Sequence, residues 1–116
     1  MKRIRQHLVG ITQGQVVLFS DYLDGGEMWT GEGQRVVRRR VIFDEAFAKP
    51  PSVTVSMTMW DADKDTNMRG DIAAQDVQAD GFDLVFETWG DSRWARVRLG
   101  WMAIGEVIDD EGWQLY

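Results

Sequence analysis

From Val53 to Met59 the chain alternates without a break: Val53, Val55, Met57 and Met59 project to one side of an extended backbone, Thr54, Ser56 and Thr58 to the other. A period of two with one apolar and one polar side is the signature of a half-buried strand. Phe82, Leu84 and Phe86 alternate in the same way with Asp83, Val85 and Glu87, and Val97, Leu99, Trp101 and Ala103 with Arg96, Arg98, Gly100 and Met102. Val16 to Phe19, Arg35 to Phe43 and Ile72 to Val77 are shorter or less regular β-rich segments. No helical period of useful length competes. Pro50 and Pro51 cannot donate to a central ladder, so they mark the entrance to the strand beginning near Val53. Gly25-Gly26, Lys49-Pro50-Pro51, Asp80-Gly81 and Gly90-Asp91 separate the strands at the spacing of an antiparallel sandwich. The expected fold class is all-β: a six- to seven-stranded antiparallel β-sandwich.

With 116 residues the chain fits one domain of ordinary size and leaves little room for a second. Residues 1–116 are read as that single domain, residues 1–13 as a candidate amino-terminal extension. Acidic residues outnumber basic ones, 19 to 13, and a net charge of -6 repels a nucleic-acid backbone, so nucleic acid is not an expected partner. Cysteine is absent, which removes disulfides, thiolate nucleophiles and thiolate zinc ligands. Lys2, Arg3 and Arg5 precede QHLVGITQGQVVLF, in which Gln and Gly interrupt any signal-like apolar stretch. No standard signal peptide is expected, and the compartment stays open between secreted by another route, particle-associated and cytoplasmic. No run of about 18 apolar residues occurs, so membrane insertion by a helix is not expected.

The chemistry gathers between Trp60 and Trp101. Asp61, Asp63, Asn67 and Arg69 stand together at one strand entrance, and Trp89, Gly90, Asp91 and Arg93 at a turn between two later strands. If Asn67 and Arg69 both lay in a strand, two residues apart, they would project from one face about 7 Å apart. A guanidinium offers paired donors to vicinal hydroxyls or a carboxylate, an Asn amide both donates and accepts, and an indole face suits the C–H side of a pyranose ring. The combination points to carbohydrate binding. A plainer reading stands beside it: Asn67 as a turn residue, Arg69 as an exposed arginine paired with Asp61 or Asp71, Trp89 as a core aromatic at a strand end.

Other chemistries find less support. Asp61, Asp63 and Asp65 open like a calcium loop, but Thr66 stands where a glycine is needed and Ile72 where a bidentate Glu is needed. No metal or other cofactor is expected. Arg38, Arg39 and Arg40 form the densest positive run, read as a solvated or inter-subunit face. The single histidine is His7, and none of the motifs G-x-S-x-G, H-E-x-x-H or a phosphate loop is present. Asp61, Glu87 and Asp91 are carboxylates of the kind glycosidases use, yet no spacing singles out a catalytic pair. The chain is therefore not expected to be an enzyme.

The ordered pattern VIFDEAFAKPPSVTVSMTMWDADKDTNMR, then GF, then ETWGDSRWARVRLGWMAIG resembles the H-type lectin family, covering about Val41 to Gly105. LFSD…MWTGEG upstream is similar to bacterial members. The resemblance implies a six-stranded antiparallel β-sandwich, assembled as a homotrimer, that binds galactose- or N-acetylgalactosamine-type sugars in shallow sites between protomers, without a metal. Asn67 and Arg69 match the family's N-x-R, and Trp89 matches the Trp of its TW turn. Glu32 in TGEG is nearest to the acidic residue the family supplies from the loop before the second strand. Gly90 stands where the snail agglutinin has histidine, and Ala95 where it has tyrosine. Trp94, one place earlier, substitutes for that ring only through a shift of register, which flips its face.

A trimer would give weak sites avidity, and Arg93, Arg96, Arg98, Arg35, Arg38 and Arg40 are expected to meet Asp83 and Glu87 across subunits. Two functions compete. One is a multivalent lectin for a glycan or polysaccharide. The alternative is a structural or adhesion module of a secreted or viral-type particle, with the tail GEVIDDEGWQLY and the amino-terminal segment docking onto partners.

Overall fold

The structure, a computed structural model, describes residues 1–5 and 8–108. His7 and the tail residues 109–116 lie outside the described part. Six strands occur among the described residues: β1 Val9–Ser20, β2 Arg35–Ile42, β3 Ser52–Ala62, β4 Asp71–Gln78, β5 Gly81–Thr88 and β6 Trp94–Glu106. A four-residue helix, α1 Glu27–Thr30, lies between β1 and β2 and had no helical period to announce it. The strands form two three-stranded antiparallel sheets, β1-β6-β3 and β2-β5-β4, with β1 stacked over β2 and β3 over β4. This is the β-sandwich the alternation predicts.

β5 and β6 are the central strands, and their inward residues are covered on every side. Phe82, Leu84, Phe86, Val97, Leu99 and Ala103 have no exposed surface. Each large side chain so buried contributes roughly 1.5–3 kcal/mol. Phe43 packs on Phe47, Phe82 and Trp101 at one end of the core, while Phe86 packs on Phe19 and Trp94 at the other. Pro51 is buried at the mouth of β3, as its placement before a strand requires.

The first strand is longer than its sequence suggests. It starts at Val9 rather than Val16, and residues 9–13, assigned to a candidate extension, pair in register with Glu106 to Met102 of β6. Gly10, Thr12 and Gly14 face inward there, so no apolar alternation is visible. A Cβ on Gly14 would stand 2.9 Å from Cζ2 of Trp101, which means that the tryptophan fills the place a larger residue would need.

Many of the charges expected to meet across subunits have partners within the chain. Arg40 pairs with Asp76 and Asp83 at 3.3 Å and with Asp80 at 3.8 Å, Arg38 donates to Gln75 at 2.7 Å, and Gln34 donates to Glu87. Arg96 meets Asp61 at 3.5 Å, Arg93 meets Asp63 at 3.8 Å, and Arg98 donates to Thr58 at 3.1 Å. Arg35 departs furthest from expectation. It is 2% exposed, because it shares the inward phase of Val37, Val41 and Phe43.

The outer face of β1-β6-β3 is different in character. Ile11 lies opposite Ile104, and Gln13 opposite Met102, with Thr54 beside Met102 on the other flank. Ile11, Met102 and Ile104 are all exposed. Beside them runs a concavity of about 660 Å³, over Gly100 and between Gln15 and Ser56. It is an open trough in a sheet and gathers no charged group.

Candidate functional site

Two loops meet at one end of the sandwich: residues 63–70, from β3 to β4, and residues 89–93, from β5 to β6. Asn67 and Arg69 sit in the irregular part of the first, not in a strand as the two-residue spacing assumed. They are nevertheless brought together, by Asp91. Its carboxylate accepts from Asn67 Nδ2 at 3.2 and 3.3 Å, from the Asn67 backbone N–H at 3.4 Å and from Arg69 Nη1 at 2.7 Å. Arg69 is thus paired with neither Asp61 nor Asp71. The hydrogen bond from the Asn67 side chain is the main force holding the Asp91 carboxyl below its ordinary value of 3.8. Desolvation opposes it as the next largest effect, and the backbone N–H groups of Asn67 and Asp91 and the Arg69 charge act with the Asn67 side chain.

Buried groups fix this arrangement from beneath. Ser92, fully buried, accepts from the Arg69 N–H at 2.9 Å and donates to the Asn67 carbonyl at 2.5 Å. Thr88 donates to the Arg69 carbonyl at 2.5 Å, and Trp94 Nε1 reaches the same carbonyl at 3.2 Å and Thr88 Oγ1 at 3.0 Å. Both backbone polar groups of Arg69 are therefore held, and its side chain leaves the surface in a defined direction. Among the described residues Nε and Nη2 of Arg69 have no partner, so one edge of the fork is free to donate.

Trp94 is corrected by this geometry. The register of β3 against β6 does shift, between Asp61 and Ala62, but the extra residue on β6 turns the indole inward. At 2% exposure, edge-on to Phe86, it braces the loop and cannot offer a face to a ligand. Trp89 has the opposite fate. It follows the inward Thr88 in alternation and is 43% exposed, beside the turn that carries Asp91. Gly90 is in the left-handed region at φ +67, and a Cβ there would lie 3.4 Å from Arg69 Nη1. Its lack of a side chain lets the guanidinium lie against the turn.

Glu32 is exposed on the loop before β2. The neighbouring Gly33 N–H donates to the Gly90 carbonyl at 3.0 Å, which ties that loop to the site turn within one protomer. The buried Arg35 ties it more firmly. Nε donates to the Gly33 carbonyl at 3.0 Å, Nη1 to Glu27 and Met28 at 3.3 Å, and Nη2 to Gly90 at 3.3 Å and Ser92 at 2.8 Å. A buried charge is tolerated only when its donors are satisfied, and here carbonyl dipoles do that. Arg35, Ser92 and the clamping role of Asp91 were not assigned from sequence. The in-phase position of Arg35 among apolar residues was the one available signal.

Two three-stranded antiparallel sheets packed face to face make a small all-β module of the lectin type. The sequence profile of the H-type lectin domain matches residues 38–104, and the chain belongs to that family. A Fuscovulum blasticum protein named "ATP synthase subunits region ORF 7" is 54% identical over 107 residues, covering 92% of this chain and 93% of its own. Discoidin II of Dictyostelium discoideum shares the fold at a TM-score of 0.72 and 26% identity, over 85% of this chain and 38% of the discoidin chain. The tailspike protein gp49 of Pseudomonas phage LKA1 shares it at a TM-score of 0.55 and 22% identity, over 87% of this chain and 15% of the tailspike.

Proposed function

We propose that the protein binds a galactose- or N-acetylgalactosamine-type sugar at the corner formed by Trp89, Arg69 and Asn67. The exposed Trp89 next to Gly90, the residue against which the Arg69 guanidinium lies with one unpaired edge, is the observation that carries this reading. The indole takes the apolar side of the ring, Nε and Nη2 of Arg69 take hydroxyls, and Glu32 supplies an acceptor from the loop that Gly33 ties to the site turn. Asp91 neutralises Arg69, which suits an uncharged ligand. Gly90, where a larger residue would crowd the fork, leaves the corner open. The family is non-enzymatic in general, and we read this chain as a binder.

Each hydroxyl contact adds about 1 kcal/mol net, so one such corner is weak and gains strength by repetition. We place the contact between copies of a homotrimer on the outer face of β1-β6-β3, around Ile11, Met102 and Ile104. On the outer face of β2-β5-β4, Arg38, Arg40, Asp83 and Glu87 already have partners within the chain. Sedimentation at micromolar concentration tests this, and a monomer would end it.

A glycan array tests the site: binding to galactose-type sugars that Arg69→Ala and Trp89→Ala both abolish supports it. Silence across galactose, N-acetylgalactosamine and bacterial polysaccharides supports the second reading, a structural or adhesion module. That reading is favoured by one observation, that Asn67 Nδ2 and Arg69 Nη1 are both already engaged by Asp91.

A further inference from the structure

Past Arg93 along the chain from Trp89, a cleft of about 200 Å³ is lined by Ser20, Tyr22, Leu23, Asp61, Ala95 and Arg96. One wall is an aromatic ring in water. Tyr22 is 57% exposed, yet its position is fixed twice over. Its own N–H and that of Asp21 both donate to the Ala95 carbonyl, at 3.2 and 2.7 Å. Its ring stands edge-on to Trp29, with centroids 4.9 Å apart and planes at 81°. Trp29 is held in turn by Arg93, whose guanidinium carbon lies 4.8 Å from the indole centroid and whose Nε donates to the Trp29 carbonyl at 2.7 Å. An exposed ring fixed in advance loses little freedom when a ligand covers it.

Asp61 and Arg96 also line the cleft, paired at 3.5 Å with both side chains more than half exposed. An ion pair so open to water adds little to stability. It does set a carboxylate acceptor beside guanidinium donors, the pair of functions that adjacent hydroxyls engage together. Ser20 and Ala95 are small, and Leu23 stands at the rim. The space is below that of a drug-sized pocket and suits a single ring.

Position links this cleft to the Trp89 corner. Asp91 and Ala95 are four residues apart, at most about 14 Å of extended chain, and Arg93 lies between them. We infer that the Tyr22 cleft is a second sugar subsite, which takes a further ring of the same glycan whose end ring sits on Trp89. The protein then recognises an oligosaccharide segment and not the end ring alone. This inference rests on the function proposed above.

Isothermal titration of galactose and N-acetylgalactosamine against di-, tri- and tetrasaccharides ending in them tests it on the full chain. Wild type is expected to bind the tri- or tetrasaccharide about tenfold more tightly than the monosaccharide, in line with one added aromatic platform and its polar contacts. Tyr22→Ala removes that gain and leaves monosaccharide affinity unchanged. Asp61→Asn, which alters no ring, reduces the gain as well. A gain that survives both variants, or affinity that does not rise with length, overturns the inference and leaves the Trp89 corner standing. Wild type that binds none of these sugars overturns both.

Discussion

Arg35 Nη2 donates to the Ser92 carbonyl at 2.8 Å, so a guanidinium at the start of β2 holds the turn that opens β6. The bond spans 57 positions of sequence and joins the loop of Glu32 to the loop of Trp89 from inside the protein.

Loss of that guanidinium strands several buried carbonyls, at about 1–3 kcal/mol each. Arg35→Met is expected to lower unfolding free energy by about 3 kcal/mol or more in urea titration, with Arg35→Lys less severe because an ammonium reaches fewer of the same carbonyls. A cost below about 1 kcal/mol, the value of an ordinary surface change, would show that the carbonyls are satisfied some other way.

Gly90 and Gly25 both adopt positive φ, +67 and +64. An alanine at either is strained by about 1–2 kcal/mol. Only at Gly90 does the new methyl press on Arg69, since Gly25 has nothing within 4 Å of such a group. Gly90→Ala is therefore expected to weaken sugar binding, and Gly25→Ala to leave it intact at a similar loss of melting temperature. Equal binding by the two variants would separate the Arg69 fork from the ligand.

Asp91 sets an acid limit. Its carboxyl is held below 3.8 in the folded protein, so the clamp is complete above that value and is lost as pH falls through the lower, folded value. Binding is expected to stay level from neutral pH down to about pH 5 and to collapse only in stronger acid. Titration of sugar affinity against pH checks this, with Asp91→Asn as the control that loses the acid step. A midpoint above about pH 5 would assign the loss to a different group.

The outer face of β1-β6-β3 carries its own test. Ile11→Lys and Ile104→Lys put charges opposite one another on paired strands, at positions that are exposed in the single chain. Sedimentation is expected to shift toward monomer with unchanged far-ultraviolet dichroism, and avidity for a polyvalent glycan to fall while monosaccharide affinity drops less. Unaltered sedimentation would move the contact between copies to another surface.

The sandwich was legible because β3, β5 and β6 keep a strict period of two against a covered face. β1 was legible only from Val16, since Gly10, Thr12 and Gly14 leave room for neighbouring side chains and so carry no apolar signal. Trp89 was legible through the TW turn it shares with the family, while its exposure follows from the buried Thr88 before it. Its neighbour Trp94 was not, because a one-residue bulge opposite Asp61 and Ala62 decides its face, and no local pattern encodes a bulge. Asp91 was visible as a carboxylate, but its role depends on a loop 22 to 24 residues away folding onto it.

The Arg38, Arg39 and Arg40 run lies on β2, an outermost strand whose free N–H and C=O groups could template the addition of a further strand. Arg38 and Arg40 are anchored to Gln75, Asp76 and Asp83, while Arg39, in phase with Val37 and Val41, is exposed on the border strand. A neighbour adding to this border would have to desolvate the Arg39 cation, so β2 resists fibril-like stacking even when many copies are crowded together.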